Sequence, residues 1–218
     1  DLANCKDQLF KAQTYQERLR WFAQGKLVGN AWTEPGKGSL TQSQTKVKNI
    51  NEESVVVEGE KLYTTGSIFA DYLDVTAWNE SGQEVTVLLP RGQEGVTVHD
   101  DWDGFGQQQT GTGAAVFLYA YARADQVRPF SERLGYQTAL YQHVLNIAQV
   151  GNALNAAQHL SRLLAERTRS YSHGNGPLAH EDPQLLEVAG RLFARAEAAK
   201  DIVVGTAKYL DRAADSAR

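Results

Sequence analysis

Two short segments about 30 residues apart carry the residue types of a ring-binding site. They are Asn30-Ala31-Trp32-Thr33-Glu34-Pro35-Gly36 and Lys61-Leu62-Tyr63-Thr64-Thr65-Gly66-Ser67. Each closes an apolar run with small hydroxylated residues and glycine, next to one large aromatic. An aromatic side chain covers the face of a flat ring, while hydroxyls and backbone N–H groups meet heteroatoms at its edge. A flavin is a ring of this kind. The same wording also suits an ordinary sheet, since Thr-rich strand ends followed by glycine are common and aromatics dominate cores. Both readings stand on these residues alone.

The elements that must position the segments follow from periodicity. Residues 1 to about 25 read as helix, with Tyr15, Leu19 and Phe22 at helical spacing and Gly25 as its stop. From about 27 to 125 the texture turns to short β-rich runs: Ser54–Val57, Glu60–Thr65, Leu73–Trp78, Glu84–Leu89 and Ala114–Ala120. Asn79-Glu80-Ser81-Gly82 is a hairpin turn between two of them. Many short strands in succession predict a small antiparallel barrel or sandwich. After Pro129 two long helices follow. The first carries Leu140, Val144, Ile147, Gly151, Leu154 and Ser161 on one stripe. The second is N-capped by Asp182, has Pro183 in its first turn, and carries Leu185, Ala189, Leu192, Ala196, Ala199, Val203 and Leu210. Small residues on that stripe allow close helix approach, so both helices are expected in a bundle. The link from Ser170 to Glu181 reads as an exposed loop.

Composition narrows the function classes. At 218 residues and 42% hydrophobic, the chain can bury one good core or two small ones. A net charge of -4 and a pI near 5.8 argue against a nucleic-acid partner. The single cysteine, Cys5, excludes an internal disulfide framework and suits a reducing compartment. No apolar stretch reaches membrane-span length and no signal-peptide layout opens the chain, so a soluble cytoplasmic protein without membrane contact is expected. The chain contains no methionine and begins mid-helix in character. It reads as a fragment, or as a sequence from which residues are missing, with natural scarcity of methionine as the alternative.

The two segments resemble flavin-contacting motifs of the acyl-CoA dehydrogenase superfamily: an (A/S)-x-T-E-P-x-x-G-S element followed by a G-x-K-x-(W/F/Y)-I-(T/S)-(N/G) strand. Gly66 stands where the second motif usually has Asn. Ser67-Ile68-Phe69-Ala70-Asp71-Tyr72, Asp100-Asp101-Trp102-Asp103-Gly104-Phe105-Gly106-Gln107, Phe130-Ser131-Glu132-Arg133-Leu134-Gly135-Tyr136-Gln137 and Arg167-Thr168-Arg169-Ser170-Tyr171 are similar to a different branch. That branch comprises FMN-dependent monooxygenases, among them the dibenzothiophene and sulfur-acquisition enzymes. The resemblance implies an α+β fold, with a middle antiparallel β-barrel flanked by helical segments and a C-terminal helical bundle. In those terms residues 1–26 end an N-terminal helical domain, 27–125 form the flavin-binding β-barrel, and 126–218 are part of the bundle. It also implies reduced FMN supplied by a separate reductase, O2 and a small organosulfur or related apolar substrate, and a homotetramer. Trp32, Thr33, Tyr63 and Thr65 are the implied flavin contacts. Arg169, with Arg167 close behind, is the implied contact to a cofactor phosphate on a neighbouring subunit; a solvated helix end accounts for either arginine equally well. The alternatives are an FAD-dependent acyl-CoA dehydrogenase and, in another class, a non-catalytic assembly or binding module.

Other motifs fall short. Gly36-Lys37-Gly38-Ser39 hints at a phosphate loop, but Ala31 and Gly38 stand where that pattern needs Gly and Ser or Thr. Gly104-Phe105-Gly106 lacks the third glycine of a dinucleotide fingerprint, and Asp101 and Asp103 read as turn residues rather than calcium ligands. His99, His143, His159, His173 and His180 show no metal-ligand spacing, so no metal is expected. His173, in the loop after the arginines, is a candidate to touch substrate or cofactor. Cys5 has no basic neighbour to activate it as a nucleophile. No residue is assigned a catalytic role.

Overall fold

The computed structural model of the chain describes residues 2–36, 44–170 and 172–216, with side chains from Gln13 onward. It divides into two compact units, residues 1–133 and 134–218.

The first unit opens with helix α1 (Leu2–Ala23). The helix ends where Gly25 takes φ +77°, with Gly25 N–H donating to the Phe22 carbonyl at 3.0 Å and Lys26 N–H to the Trp21 carbonyl at 2.9 Å. That double closure satisfies carbonyls the helix would otherwise leave open, and it needs a residue without a Cβ penalty. Trp21 stacks on Tyr72 at 4.3 Å, and Arg123 bridges Glu17 at 2.9 Å, so α1 is tied to the sheet that follows.

Eight strands follow: β1 (Val28–Ala31), β2 (Lys46–Asn49), β3 (Ser54–Lys61), β4 (Tyr72–Trp78), β5 (Glu84–Pro90), β6 (Val96–Val98), β7 (Ala115–Arg123) and β8 (Val127–Pro129). They form one sheet in the order β6-β7-β3-β2-β4-β5-β8, with β1 added on β4. Most pairings are antiparallel; β1 and β2 meet β4 in parallel. Alternating apolar positions such as Val55, Val57, Leu73, Val75, Val87, Leu89 and Phe117 build one core. Val96 and Val98 from one end of the strand order and Val127 from the other pack on that same core, so the sheet curls around it.

The hairpin read at Asn79–Gly82 joins β4 and β5. Asn79 Oδ1 accepts from the N–H groups of Ser81 and Gln83, and Gly82 sits at φ +74°. A separate strand at Glu60–Thr65 does not exist. The ladder runs on through Gly59 as far as Lys61, because Gly59 marks a bulge against β7 rather than a break. A Cβ there would lie 2.5 Å from Thr45 Oγ1. Strands β1, β2, β6 and β8 are short and carried too little pattern to be read in advance.

The second unit is a helical hairpin of α2 (Gln137–Glu166) and α3 (Pro183–Ser216). The α3 stripe is as expected, with Ala196 buried and Leu185, Ala189, Leu192, Ala199, Val203 and Leu210 half-buried. The α2 stripe is not. Leu140, Val144, Ile147, Gly151 and Ser161 are exposed, and the covered positions include His143, Val150, Leu154, Ala157, Leu160 and Leu164. Helix α2 carries two apolar stripes, and the small Ala157 is fully buried. No described helix is long and apolar enough to cross a membrane.

Candidate functional site

Strand pairing brings the two motif segments side by side. Thr33 and Leu62 form a bridge, with Leu62 N–H donating to the Thr33 carbonyl at 2.7 Å. Asn30 N–H donates to the Thr65 carbonyl at 3.0 Å. Beneath this junction lies Lys61, whose side chain is fully buried. Its ammonium donates to Glu34 Oε1 at 2.7 Å, the Trp32 carbonyl at 3.2 Å and the Thr76 hydroxyl at 3.1 Å. Three acceptors fill its three protons. Burial pushes the Lys61 pKa down, while the bond to Glu34 pulls the other way. Glu34 also accepts the N–H groups of Gln44 and Thr45, the latter at 3.0 Å. One buried ion pair therefore joins both segments and the approach to β2.

Above the junction, Thr33, Tyr63 and Thr65 are all exposed. Tyr63 adopts φ +54°, a conformation that costs a bulky residue of order 1 kcal/mol and is found where geometry is held for a purpose. The chain reverses there, with Thr65 N–H donating to the Tyr63 carbonyl at 2.8 Å. Residues 110–113 line the other side. Thr64 N–H donates to the Gly113 carbonyl at 2.9 Å and Gly66 N–H to the Thr110 carbonyl at 3.0 Å. The buried Thr64 hydroxyl donates to the Gly113 carbonyl at 2.7 Å and meets Ser67 Oγ at 2.6 Å. The Thr112 hydroxyl stands 3.2 Å from that of Thr65. Trp102 meets Tyr63 edge-on, with centroids 6.1 Å apart. Its loop is pinned by Trp102 Nε1 on the Gly106 carbonyl at 2.9 Å and by Ala114 N–H on Asp101 Oδ1 at 2.8 Å.

Trp32 is engaged differently. The Arg133 guanidinium lies over its ring at 4.2 Å, Phe130 meets it edge-on at 6.0 Å, and its Nε1 donates to Asp74 Oδ2 at 3.0 Å. Arg133 donates to the same carboxylate oxygen at 2.5 Å.

Arg167 and Arg169 belong to the helical unit. Arg167 follows α2, its N–H closing on the Leu163 carbonyl at 3.1 Å. Both arginines line a hollow of about 40 Å³ together with Ser170, Gly176 and Asp182. The Asp182 carboxylate there accepts backbone N–H groups from Asn175 at 2.9 Å, Gln184 at 2.9 Å and Leu185 at 3.3 Å. Led by the Asn175 bond, these hold its pKa below the ordinary range. His173 lies exposed in the same loop. Lys37, Gly38 and Ser39 of the glycine-rich segment lie outside the described residues.

Sequence reasoning missed the Glu34–Lys61 pair, although opposite charges in two partnered motifs were a usable signal. It gave no role to Trp102, Arg133 or Thr112; the quoted motifs contained the first two, and nothing local marked Thr112.

Residues 29–118 match the acyl-CoA dehydrogenase middle domain. Over these residues the chain is similar to that family's middle domain. The chain is similar to SfnC of Pseudomonas putida, a probable FMNH2-dependent monooxygenase. The two are 24% identical over 163 residues, covering 71% of this chain and 41% of SfnC. Among solved structures, FMN-bound TdsC from Paenibacillus sp. A11-2 has a TM-score of 0.73 at 22% identity, covering 85% of this chain and 51% of TdsC. Methanesulfinate monooxygenase MsuC from Pseudomonas fluorescens has a TM-score of 0.76 at 22% identity, covering 88% and 50%. These likenesses establish an acyl-CoA dehydrogenase-like α+β fold around the middle domain. The chain spans about half the length of the two solved chains, and 41% of SfnC.

Proposed function

We propose that the protein is a flavin-dependent monooxygenase, or the flavin-binding part of one, that uses reduced FMN from a separate reductase and O2. The substrate class is a small organosulfur or related apolar compound. The observation that carries this reading is the exposed cluster of Thr33, Tyr63 and Thr65, with Tyr63 held at φ +54° beside Trp102. The cluster fits a flavin: it offers an aromatic face and hydroxyls at one edge, on a scaffold fixed from below by Lys61 and Glu34. Bound reduced flavin supplies the electrons with which O2 delivers one oxygen atom to substrate and the other to water. The chain's own task is to bind and orient. Thr33 and Thr65 hydrogen-bond the ring edge, Tyr63 packs on its face, and Trp32 supports them from within its contacts to Arg133, Phe130 and Asp74. Arg169, with Arg167 behind it, meets the cofactor phosphate of a neighbouring subunit in a homotetramer. The protein acts in the cytoplasm, with residues 1–26 closing a helical domain, 27–125 forming the β-barrel and 126–218 contributing to the bundle.

Similarity to monooxygenases described with FMN or FMNH2 supports FMN as the cofactor. Anaerobic titration with reduced FMN, and separately reduced FAD, tests the reading. Tight FMN binding is expected, weakened about fivefold to tenfold in each of Thr33→Val, Thr65→Val and Tyr63→Ala. Unchanged affinity in all three variants sinks the site. Preference for FAD would favour a dehydrogenase, and binding of neither flavin by folded protein would favour an assembly module.

A further inference from the structure

Where α1 meets the segment leading into β8, two arginines face each other. Arg18 Nη2 donates to Gln126 Oε1 at 3.1 Å. In β8, the Arg128 guanidinium lies 5.7 Å from the centre of the Tyr15 ring. Tyr15 and Arg18 are about one helical turn apart, so one face of α1 meets both Gln126 and Arg128. Arg18 Nε, Arg128 Nε and Arg128 Nη2 are buried, and among the described residues no acceptor meets any of them. The N–H groups of Nε and Nη2 run parallel in a guanidinium, forming a fork that grips two oxygens of a carboxylate or a phosphate. Arg128 has that whole fork unpaired. Arg18 has half of it, since Gln126 takes its Nη2.

The nearby carboxylates are committed to other groups. Both oxygens of Asp125 accept from Arg123, and Asp74 Oδ2 accepts from Trp32 and Arg133. Burial lowers the Arg18 pKa, the Arg128 charge lowers it further, and the pull of Asp74 and Asp125 does not offset them. Two partly buried like charges with orphaned N–H groups are costly unless an anion joins them. The way in is short. Tyr15, whose ring lies over Arg128, is 51% exposed, so turning one surface side chain uncovers the fork.

We propose that Arg18 and Arg128 form a binding site for a small oxyanion, a carboxylate or phosphate group, under the Tyr15 ring. The Arg128 fork grips two of its oxygens and Arg18 Nε donates to one. The anion offsets the two like charges and ties α1 to β8. The site shares no residue with the flavin cluster and stands or falls apart from it.

The test is thermal denaturation of the whole chain without flavin, followed by circular dichroism. Inorganic phosphate or acetate is titrated against chloride at constant ionic strength. At about ten times its dissociation constant, the preferred anion should raise the melting temperature by about 4 °C over chloride. A larger rise in phosphate marks a tetrahedral ligand, and a larger rise in acetate a planar one. Arg128→Met should abolish the rise, and Arg18→Gln should weaken anion binding about fivefold. Arg128→Lys keeps the charge without the fork and should weaken it about tenfold; it carries the test if Arg128→Met does not fold. Equal melting of the parent in phosphate, acetate and chloride overturns the inference. So does a rise of parent size in the folded Arg128 and Arg18 variants, because such binding belongs to another site, such as the hollow of Arg167 and Arg169.

Discussion

Lys61 shows how much one side chain can organise. It lies at full burial, and its three protons go to Glu34, the Trp32 carbonyl and Thr76. Lys61→Met would leave a carboxylate with 14% exposure facing an apolar group, and breaking a buried pair from one side costs about 3 kcal/mol. Urea denaturation should register a loss of that order, together with weakened FMN binding because Thr33 and Tyr63 lose their common anchor. A loss too small to resolve would mean that the segments are held by their backbone bridge alone. Thr33, Tyr63 and Thr65 were singled out in the sequence by residue type and local spacing, and the structure leaves all three exposed. Thr112 was not, since its meaning depends on meeting Thr65 across 47 positions of chain. Trp32 was half legible: an aromatic in the motif could be read, but the Arg133 guanidinium over its ring could not.

At the level of elements, the sequence disclosed what local rules dictate and concealed what partners decide. The α3 start was readable from Asp182-Pro183, and the structure puts the Asp182 carboxylate on the N–H groups of Gln184 and Leu185. The α2 face was misread because two apolar stripes run along that helix, and only the packing of α3 selects between them. Acid should expose the role of Asp182. Its folded pKa is lowered, so its contribution is present above the ordinary aspartate range and is lost as pH falls through the lowered value. Asp182→Asn keeps an acceptor without the charge. Its melting temperature should approach that of the parent as acid removes the parent's advantage, whereas a constant gap across pH would point away from the carboxylate. The bulge at Gly59 carries the same lesson: local pattern read two runs, Ser54–Val57 and Glu60–Thr65, while pairing with β7 carries one strand through Gly59 to Lys61.

For the molecule as a whole, the curled sheet and the helical hairpin were legible from the change of texture along the chain, because strand and helix periodicities differ so plainly. The extent of assembly is written less clearly. Leu140, Val144 and Ile147 stand 38%, 56% and 49% exposed along one side of α2. If the protein assembles as a homotetramer through its bundle, that stripe is part of the seam. Val144→Asp should then shift sedimentation toward smaller species without changing far-UV circular dichroism. An unchanged sedimentation profile would remove this stripe from the assembly.

The seat of Lys61 has a further consequence, for chemical labelling. A primary amine with no solvent exposure is hidden from amine-reactive reagents, whereas Lys26 and Lys48 are open to them, their side chains 43% and 53% exposed. The rate at which Lys61 alone becomes acetylated, followed by peptide mass spectrometry, is therefore a clock for the parting of the two segments. If flavin binds across Thr33 and Thr65 as proposed, it should slow that clock while leaving the labelling of Lys48 untouched.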